Sequence, residues 1–187
     1  MRHLISFLLC FCGLSVLAQR YYFENVSVTS GLPASKVYAV LQDSTGLVWL
    51  GTQSGLASYD GVKVVPVASN AGIAAGGVRS LFIDSERRLW CGHLGGGLSV
   101  SKGRHFRSIT VNDKPLTADV TAIAQDGNGA IWIGTFGMGA MRVRELPEEG
   151  PIVVERFADA NGPGERITGI VRRKNGDLVL LEAGSGL

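Results

Sequence analysis

A chain of 187 residues with 18 basic and 16 acidic side chains carries too little net charge, +2, for the concentrated basic surface that nucleic-acid binding requires. Its 26 glycines and low content of charged residues suit many short strands joined by tight turns, and no segment shows the 3.6-residue periodicity of amphipathic helices. With no helical pattern to build from, an all-β fold is expected.

The first residues stand apart. Arg2, the apolar run from Leu4 to Leu17 and then Ala18-Gln19 read as a secretory signal peptide over 1–19, with cleavage after Ala18. A membrane span needs about 20 apolar residues, more than this run provides, so no span beyond the signal peptide is expected. Cys10 and Cys12 each follow a large residue, Leu9 or Phe11, which argues against a lipidated cysteine. Removal of 1–19 leaves Cys91 as the single cysteine, so the exported chain would have no internal disulfide despite entering an oxidising compartment and must rely on packing.

The remaining residues, 20–187, are internally repetitive. Val37 to Thr52, with Asp43, Gly46, Trp49 and Gly51, returns as Val78 to Gly92, with Asp84 and Trp90, and again as Val120 to Thr135, with Asp126, Gly129, Trp132 and Gly134. A fourth copy from Ile167 has Arg173 in the aspartate slot and Val179 in the tryptophan slot. The starts Val37, Val78, Val120 and Ile167 are 41, 42 and 47 residues apart, the period of one four-stranded propeller blade. In the first copy, strand A is expected over Val37–Gln42, B over Leu47–Thr52, C over Leu56–Tyr59 and D over Val62–Val67. Strands A and B are apolar on both faces, as in a blade packed between two neighbours. By alignment of Phe23 with Phe106, Tyr21 to Val28 is expected to be a D strand that precedes the first full blade.

The expectation is thus a β-propeller of four-stranded antiparallel blades, about four of them, in an incomplete ring. An aspartate followed by glycine three residues later makes a tight turn, because the carboxylate accepts backbone N–H groups two residues on and glycine supplies positive φ. Asp43, Asp84 and Asp126 therefore read as turn residues rather than catalytic or metal-binding carboxylates, and Trp49, Trp90 and Trp132 as packing between blades.

Gly31-Leu32-Pro33, Val37 through Thr52, Gly55-Leu56 and Tyr59-Asp60-Gly61 closely resemble the opening blade of the two-component regulator propeller family. The resemblance implies a periplasmic sensor region of a hybrid histidine kinase, of the kind linked to polysaccharide degradation. Later blades, an immunoglobulin-like stalk, a kinase and a receiver domain are not in this sequence, so signal output is expected to lie elsewhere.

In such a propeller the D-to-A and B-to-C loops emerge on one face, and strand A lies nearest the central channel. Lys36, Tyr38, Arg79, Asp119, Thr121 and Arg166 are the candidates for a ligand-facing mouth, each with the alternative of being solvated surface. Basic groups beside hydroxyls and an aromatic ring would suit an oligosaccharide, above all an acidic one. A homodimer or further blades are the other expected partners, through an open blade edge.

Gly92-His93-Leu94-Gly95-Gly96-Gly97 opens no helix, so phosphate binding is not expected. Cys91 and His93 share one face of a strand but have no second ligand pair, so no metal is expected, and Cys91 fills an apolar slot. No cofactor signature and no catalytic residue are identified. The alternatives to a sensor are a secreted propeller enzyme such as a polysaccharide lyase, which needs a convergent base and a charge-neutralising group, or a pure interaction scaffold.

Overall fold

The computed structural model describes residues 23–102, 105–111, 114–148, 152–157 and 164–184. The signal peptide expected over 1–19 lies outside them. Among the described residues no helix is long and apolar enough to cross a membrane.

The described residues form four antiparallel sheets in sequence order. The first contains β1 (Val37–Gln42), β2 (Val48–Thr52), β3 (Gly55–Tyr59) and β4 (Val64–Pro66). The second contains β5 (Val78–Ile83), β6 (Leu89–His93), β7 (Leu98–Lys102), β8 (His105–Val111) and the short β9 (Lys114–Pro115). The third holds β10 (Asp119–Gln125), β11 (Ile131–Phe136), β12 (Ala140–Glu145) and β13 (Val153–Phe157), and the fourth pairs β14 (Ile167–Arg172) with β15 (Leu178–Glu182). Each is a meander of neighbours, the arrangement that short turns allow.

Local chemistry explains the departures from the expected strands. Residues 23–27 are not a strand, and Val28–Ser30 is a 3₁₀ turn. Its hydroxyls are satisfied locally: the Ser27 N–H donates to Ser30 Oγ at 3.1 Å, and Ser27 and Thr29 share a hydrogen bond. Tyr21 and Tyr22 lie outside the described residues. β4 starts two residues late because Asp60 Oδ1 accepts the N–H groups of Val62 and Lys63 and holds them in the preceding turn. β9 was not anticipated; it folds part of a D-to-A loop back onto β8.

Successive sheets meet mainly through their first two strands, with β1 against β5, β5 against β10 and β10 against β14. No contact of comparable extent joins the fourth sheet to the first among the described residues, so the row is open rather than closed into a ring. Its core follows from that row. One apolar cluster joins Trp90, Leu98 and Val100 of the second sheet to Ile123, Ile133 and Met141 of the third. Another joins Leu41, Trp49 and Leu56 of the first to Val78, Leu81, Cys91 and Phe106 of the second.

The same pattern shows where burial stops. The inner strands are covered on both faces only inside the row: Val78, Val120 and Ile167 are fully buried, whereas their counterpart Val37 is 39% exposed. Val40 on β1 and Val171 on β14 are also exposed.

Three glycines make the close approach of the sheets feasible. A methyl group at Gly51 would lie 2.8 Å from the Val78 carbonyl, and one at Gly134 would lie 2.6 Å from Ile167 Cγ2. A methyl at Gly92 would overlap Ser80 and Val120. The second strands of the first three sheets therefore each offer a glycine as a socket for an inner-strand residue of the next sheet, Val78, Val120 or Ile167.

Candidate functional site

Each inner strand has the same irregularity. The register between first and second strands slips at Val37/Ala39, Val78/Ser80, Val120/Ala122 and Ile167/Gly169. The extra residues are Tyr38, Arg79, Thr121 and Thr168, so one β-bulge recurs four times at the same height. A bulge re-aims its side chain and is a common device beside binding sites. Tyr38, Arg79 and Thr121 were singled out from the sequence; Thr168 was not, although alignment of the four repeats places it in the same column.

The structure joins several of these residues in pairs. Arg79 Nη1 donates to Asp119 Oδ2 at 3.0 Å, bridging the second and third sheets, and Asp119 Oδ1 also accepts the Gly95 N–H. Lys36 Nζ lies 5.0 Å from the centre of the Tyr38 ring. Arg166 lies over Phe136 of the third sheet, 5.4 Å from the ring centre, and the two residues form a β-bridge. Thr121 uses its single hydroxyl hydrogen on the Ile167 carbonyl at 2.6 Å, tying the third sheet to the fourth, while Thr168 donates to Leu181 within its own sheet. The mouth therefore presents one half-exposed ion pair and two cations held against aromatic rings, with Thr121 bonded into the scaffold.

The opposite end carries the aspartate turns. Asp43 Oδ1 accepts the N–H groups of Thr45 and Leu47, Asp84 Oδ1 those of Glu86 and Arg88, and Asp126 Oδ1 those of Asn128 and Ala130. The second carboxylate oxygen takes the tryptophan indole N–H of the same repeat, at 3.2 Å from Trp49, 2.8 Å from Trp90 and 2.9 Å from Trp132. Burial pushes these carboxyls up, but the hydrogen bonds outweigh it and hold all three below the usual carboxylate range. The tryptophan rings differ in setting. Trp49 meets Phe106 of the next sheet edge to face, Trp90 is fully buried, and Trp132 packs against Phe157 of its own sheet.

Two substitutions interrupt the repeated turns. Arg87 occupies the place of Gly46 and Gly129 and keeps the left-handed backbone, φ 62°, that glycine adopts elsewhere. In the fourth turn Arg173 replaces the aspartate; the backbone turn persists, with Gly176 N–H donating to the Arg173 carbonyl.

Several clefts among the described residues lie at this turn end. One of about 600 Å³ is lined by Arg87, Arg88, His105, Arg107 and Glu148, and others lie beside Asp43 and beside Asp126. Arg88 is already paired with Asp84 and Glu86, and Arg107 donates to the Pro147 carbonyl, which leaves this cleft of mixed charge. None of the sequence-predicted mouth residues lines these clefts.

His93 and Cys91 are fully buried. Burial pushes the Cys91 thiol up and brings the His93 imidazole down to about 4. His93 Nε2 meets Ser99 Oγ at 3.0 Å, while Nδ1 faces the Gly76 backbone without a hydrogen bond of normal geometry. Among the described residues no three His, Cys, Asp or Glu side chains are grouped to hold a metal ion.

With that geometry in place, the comparisons are informative. The two component regulator propeller family matches at residues 31–54 and 115–137, two segments that each span a bulged inner strand, an aspartate turn and a tryptophan strand. No curated protein sequence matches the chain. Among solved structures, the extracellular domain of a proposed one-component system of B. thetaiotaomicron is similar with a TM-score of 0.72 and 19% identity, over 89% of this chain and 23% of that one. PorZ, a surface component of the type-IX secretion system of Porphyromonas gingivalis, is similar with a TM-score of 0.60 and 16% identity, over 90% of this chain and 28% of that one. Streptogramin B lyase is similar with a TM-score of 0.59 and 16% identity, over 81% of this chain and 49% of that one. The chain thus spans only 23% and 28% of the first two and 49% of the lyase. At these identities what is shared is the fold, a propeller-like row of antiparallel sheets.

Proposed function

We propose that this chain is a segment of an exported sensor propeller in a two-component regulatory system, that it binds an acidic oligosaccharide at the bulged ends of its inner strands, and that it is not catalytic. The observation that carries the reading is the recurrence of one bulge at Tyr38, Arg79, Thr121 and Thr168. A device repeated at one height on four strands sets a row of side chains side by side on a rigid scaffold, as ligand recognition from loops and strand ends requires. Lys36 and Arg166 supply positive charge beside aromatic faces, and Arg79 and Asp119 supply hydrogen-bonding groups fixed by their mutual ion pair. Similarity to the regulator propeller family, and the extracellular location of the domain from B. thetaiotaomicron, support the sensing role and a periplasmic site of action.

The test is alanine replacement of Lys36 and Arg79 in the full-length protein, with affinity for oligogalacturonates measured by titration calorimetry. A loss of about tenfold or more is expected, the equivalent of removing one or two charge-assisted contacts. Unchanged affinity would remove the proposal.

Likeness to streptogramin B lyase favours a second reading, a lyase built on the same fold. Such an enzyme needs an accessible base beside a charge-neutralising group. His93 is too deeply buried for that part, and His105 lies on β8, at the turn end rather than the mouth. Release of unsaturated sugar products on incubation with acidic polysaccharides would decide for the lyase.

A further inference from the structure

The second sheet departs from its neighbours at the turn end, and the departures lie together. Arg87 and Arg88 follow Asp84 where Gly46 and Leu47 follow Asp43, and where Gly129 and Ala130 follow Asp126. Strand pairing identifies two more. The residue opposite the tryptophan on the third strand is Ser58 in the first sheet and Arg142 in the third, but Val100 in the second. On the fourth strand the next partner is Val65 or Glu155 in those sheets, but Arg107 in the second. Arg87, Arg88, Val100 and Arg107 all line the cleft of about 600 Å³.

The scaffold does not require these side chains. The first and third sheets make the same turn and the same meander without them, and at Arg87 the substitution is unfavourable, because a residue with a Cβ is held at φ 62°. A strained backbone kept beside a cleft points to function. Arg88 is committed to Asp84 and Glu86, and one nitrogen of Arg107 is held by the Pro147 carbonyl. The exposed Arg87 guanidinium, by contrast, has no hydrogen bond or ion pair among the described residues.

The lining of the cleft selects a class of ligand. Val100 belongs to the apolar cluster that joins the second and third sheets, and Leu146 packs against the same cluster, so the floor between the charged groups is apolar. Three arginines stand against two glutamates, Glu86 and Glu148, which leaves one positive charge in excess and disfavours a dianion such as phosphate. A guanidinium takes a carboxylate through two parallel N–H bonds. The volume is that of a site for a small organic molecule. We infer that this cleft binds a small monocarboxylate with an apolar body, the carboxylate on Arg87 and the apolar part over Val100 and Leu146. The site lies at the opposite end of the strands from the mouth, and the inference holds whatever ligand the mouth binds.

The test titrates 4-phenylbutyrate into the full-length protein by calorimetry, beside its neutral amide and inorganic phosphate. The carboxylate is expected to bind at least about tenfold more tightly than either. Arg87→Gly, which restores the residue of the first and third turns, is expected to weaken the carboxylate at least about tenfold, whereas Lys36→Ala with Arg79→Ala leaves its affinity unchanged. Absence of phenylbutyrate binding, equal affinity for the amide or for phosphate, or equal affinity in the parent and Arg87→Gly would overturn the inference. So would a loss in the Lys36 and Arg79 variant alone, which would put the carboxylate at the mouth. Circular dichroism checks that Arg87→Gly retains its strands; should it lose them, Arg87→Asn, whose short side chain tolerates the left-handed backbone, replaces it with the same expected loss and the same contrary result.

Discussion

The indole N–H of Trp90 donates to Oδ2 of Asp84 at 2.8 Å across the β5–β6 turn. The same oxygen takes the Arg88 Nε–H at 2.7 Å, while Oδ1 takes two backbone N–H groups. One carboxylate with a fully buried side chain thus fixes the turn and anchors the largest ring of the core. Replacement by alanine strands an indole and two backbone donors at once and leaves the Arg88 guanidinium with Glu86 as its remaining ion pair. Asp84→Ala is expected to cost about 3 kcal/mol, against about 1 kcal/mol for Asp43→Ala, whose turn is more open to water. Urea denaturation of the two variants measures the difference, and equal losses would show that the network at Asp84 has no special weight.

Protonation supplies two separate acid limbs. His93 is held neutral, at about 4 against an ordinary value of 6.5, so the unfolded chain binds the proton first as pH falls. The stability that depends on neutral His93 is complete above about pH 6.5 and declines towards pH 4, by roughly 3 kcal/mol over that window. Thr52 and Thr135 occupy the same position in neighbouring repeats and donate their hydroxyls across the B-to-C turn. His93→Thr is therefore expected to flatten melting temperature between pH 6.5 and 4 while leaving a separate fall below about pH 4, as Asp43, Asp84 and Asp126, held below the usual carboxylate range, become protonated. A His93→Thr profile as steep as that of the parent would contradict the assignment.

Arg87 pays for a backbone that glycine adopts freely, with φ at 62°. Glycine there should relieve about 1–2 kcal/mol of strain and return about 0.5–1 kcal/mol of backbone entropy, a net gain of about 0.5–1 kcal/mol. Arg87→Gly is expected to unfold at higher denaturant concentration than the parent. A loss of stability would mean that the Arg87 side chain holds the neighbouring sheets together across the clefts it lines.

The Cys91 thiol is buried between the first two sheets with its ionisation pushed up. Thiolate is the reactive form. Iodoacetamide should therefore leave Cys91 unmodified in the native protein and label it only at the rate of unfolding, as followed by peptide mass spectrometry; rapid labelling in native buffer would place the residue in an exposed setting.

The all-β class and the period of the sheets were legible because alternating apolar strands and turn residues recur in the chain itself. The opening strand expected over Tyr21 to Val28 was misread: Phe23 matches Phe106 as a residue, but residues 23–27 form no strand, and the Ser27 N–H is bonded by Ser30 Oγ and the Ser27 hydroxyl by that of Thr29 in a local 3₁₀ turn. Strands A and B read as apolar on both faces, yet only the inner sheets are covered on both, since burial depends on which sheets have neighbours. The bulge at Tyr38 and the hydrogen bond from Trp90 to Asp84 depend on register between strands, which a linear pattern does not contain. Gly51, Gly92 and Gly134 were visible as repeated letters, but their role as sockets appears only when Val78, Val120 and Ile167 are set against them.

Those sockets are the centre of the account, and Gly92 is the tightest of the three. The decisive measurement is the unfolding free energy of Gly92→Ala beside that of Gly127→Ala, a turn glycine where a methyl would find ordinary contact distances of 3.4 Å or more. Close stacking of the second and third sheets predicts a loss of about 2 kcal/mol or more at Gly92 and less than about 1 kcal/mol at Gly127. Equal, small losses at both positions would show that the sheets do not approach one another through Gly92.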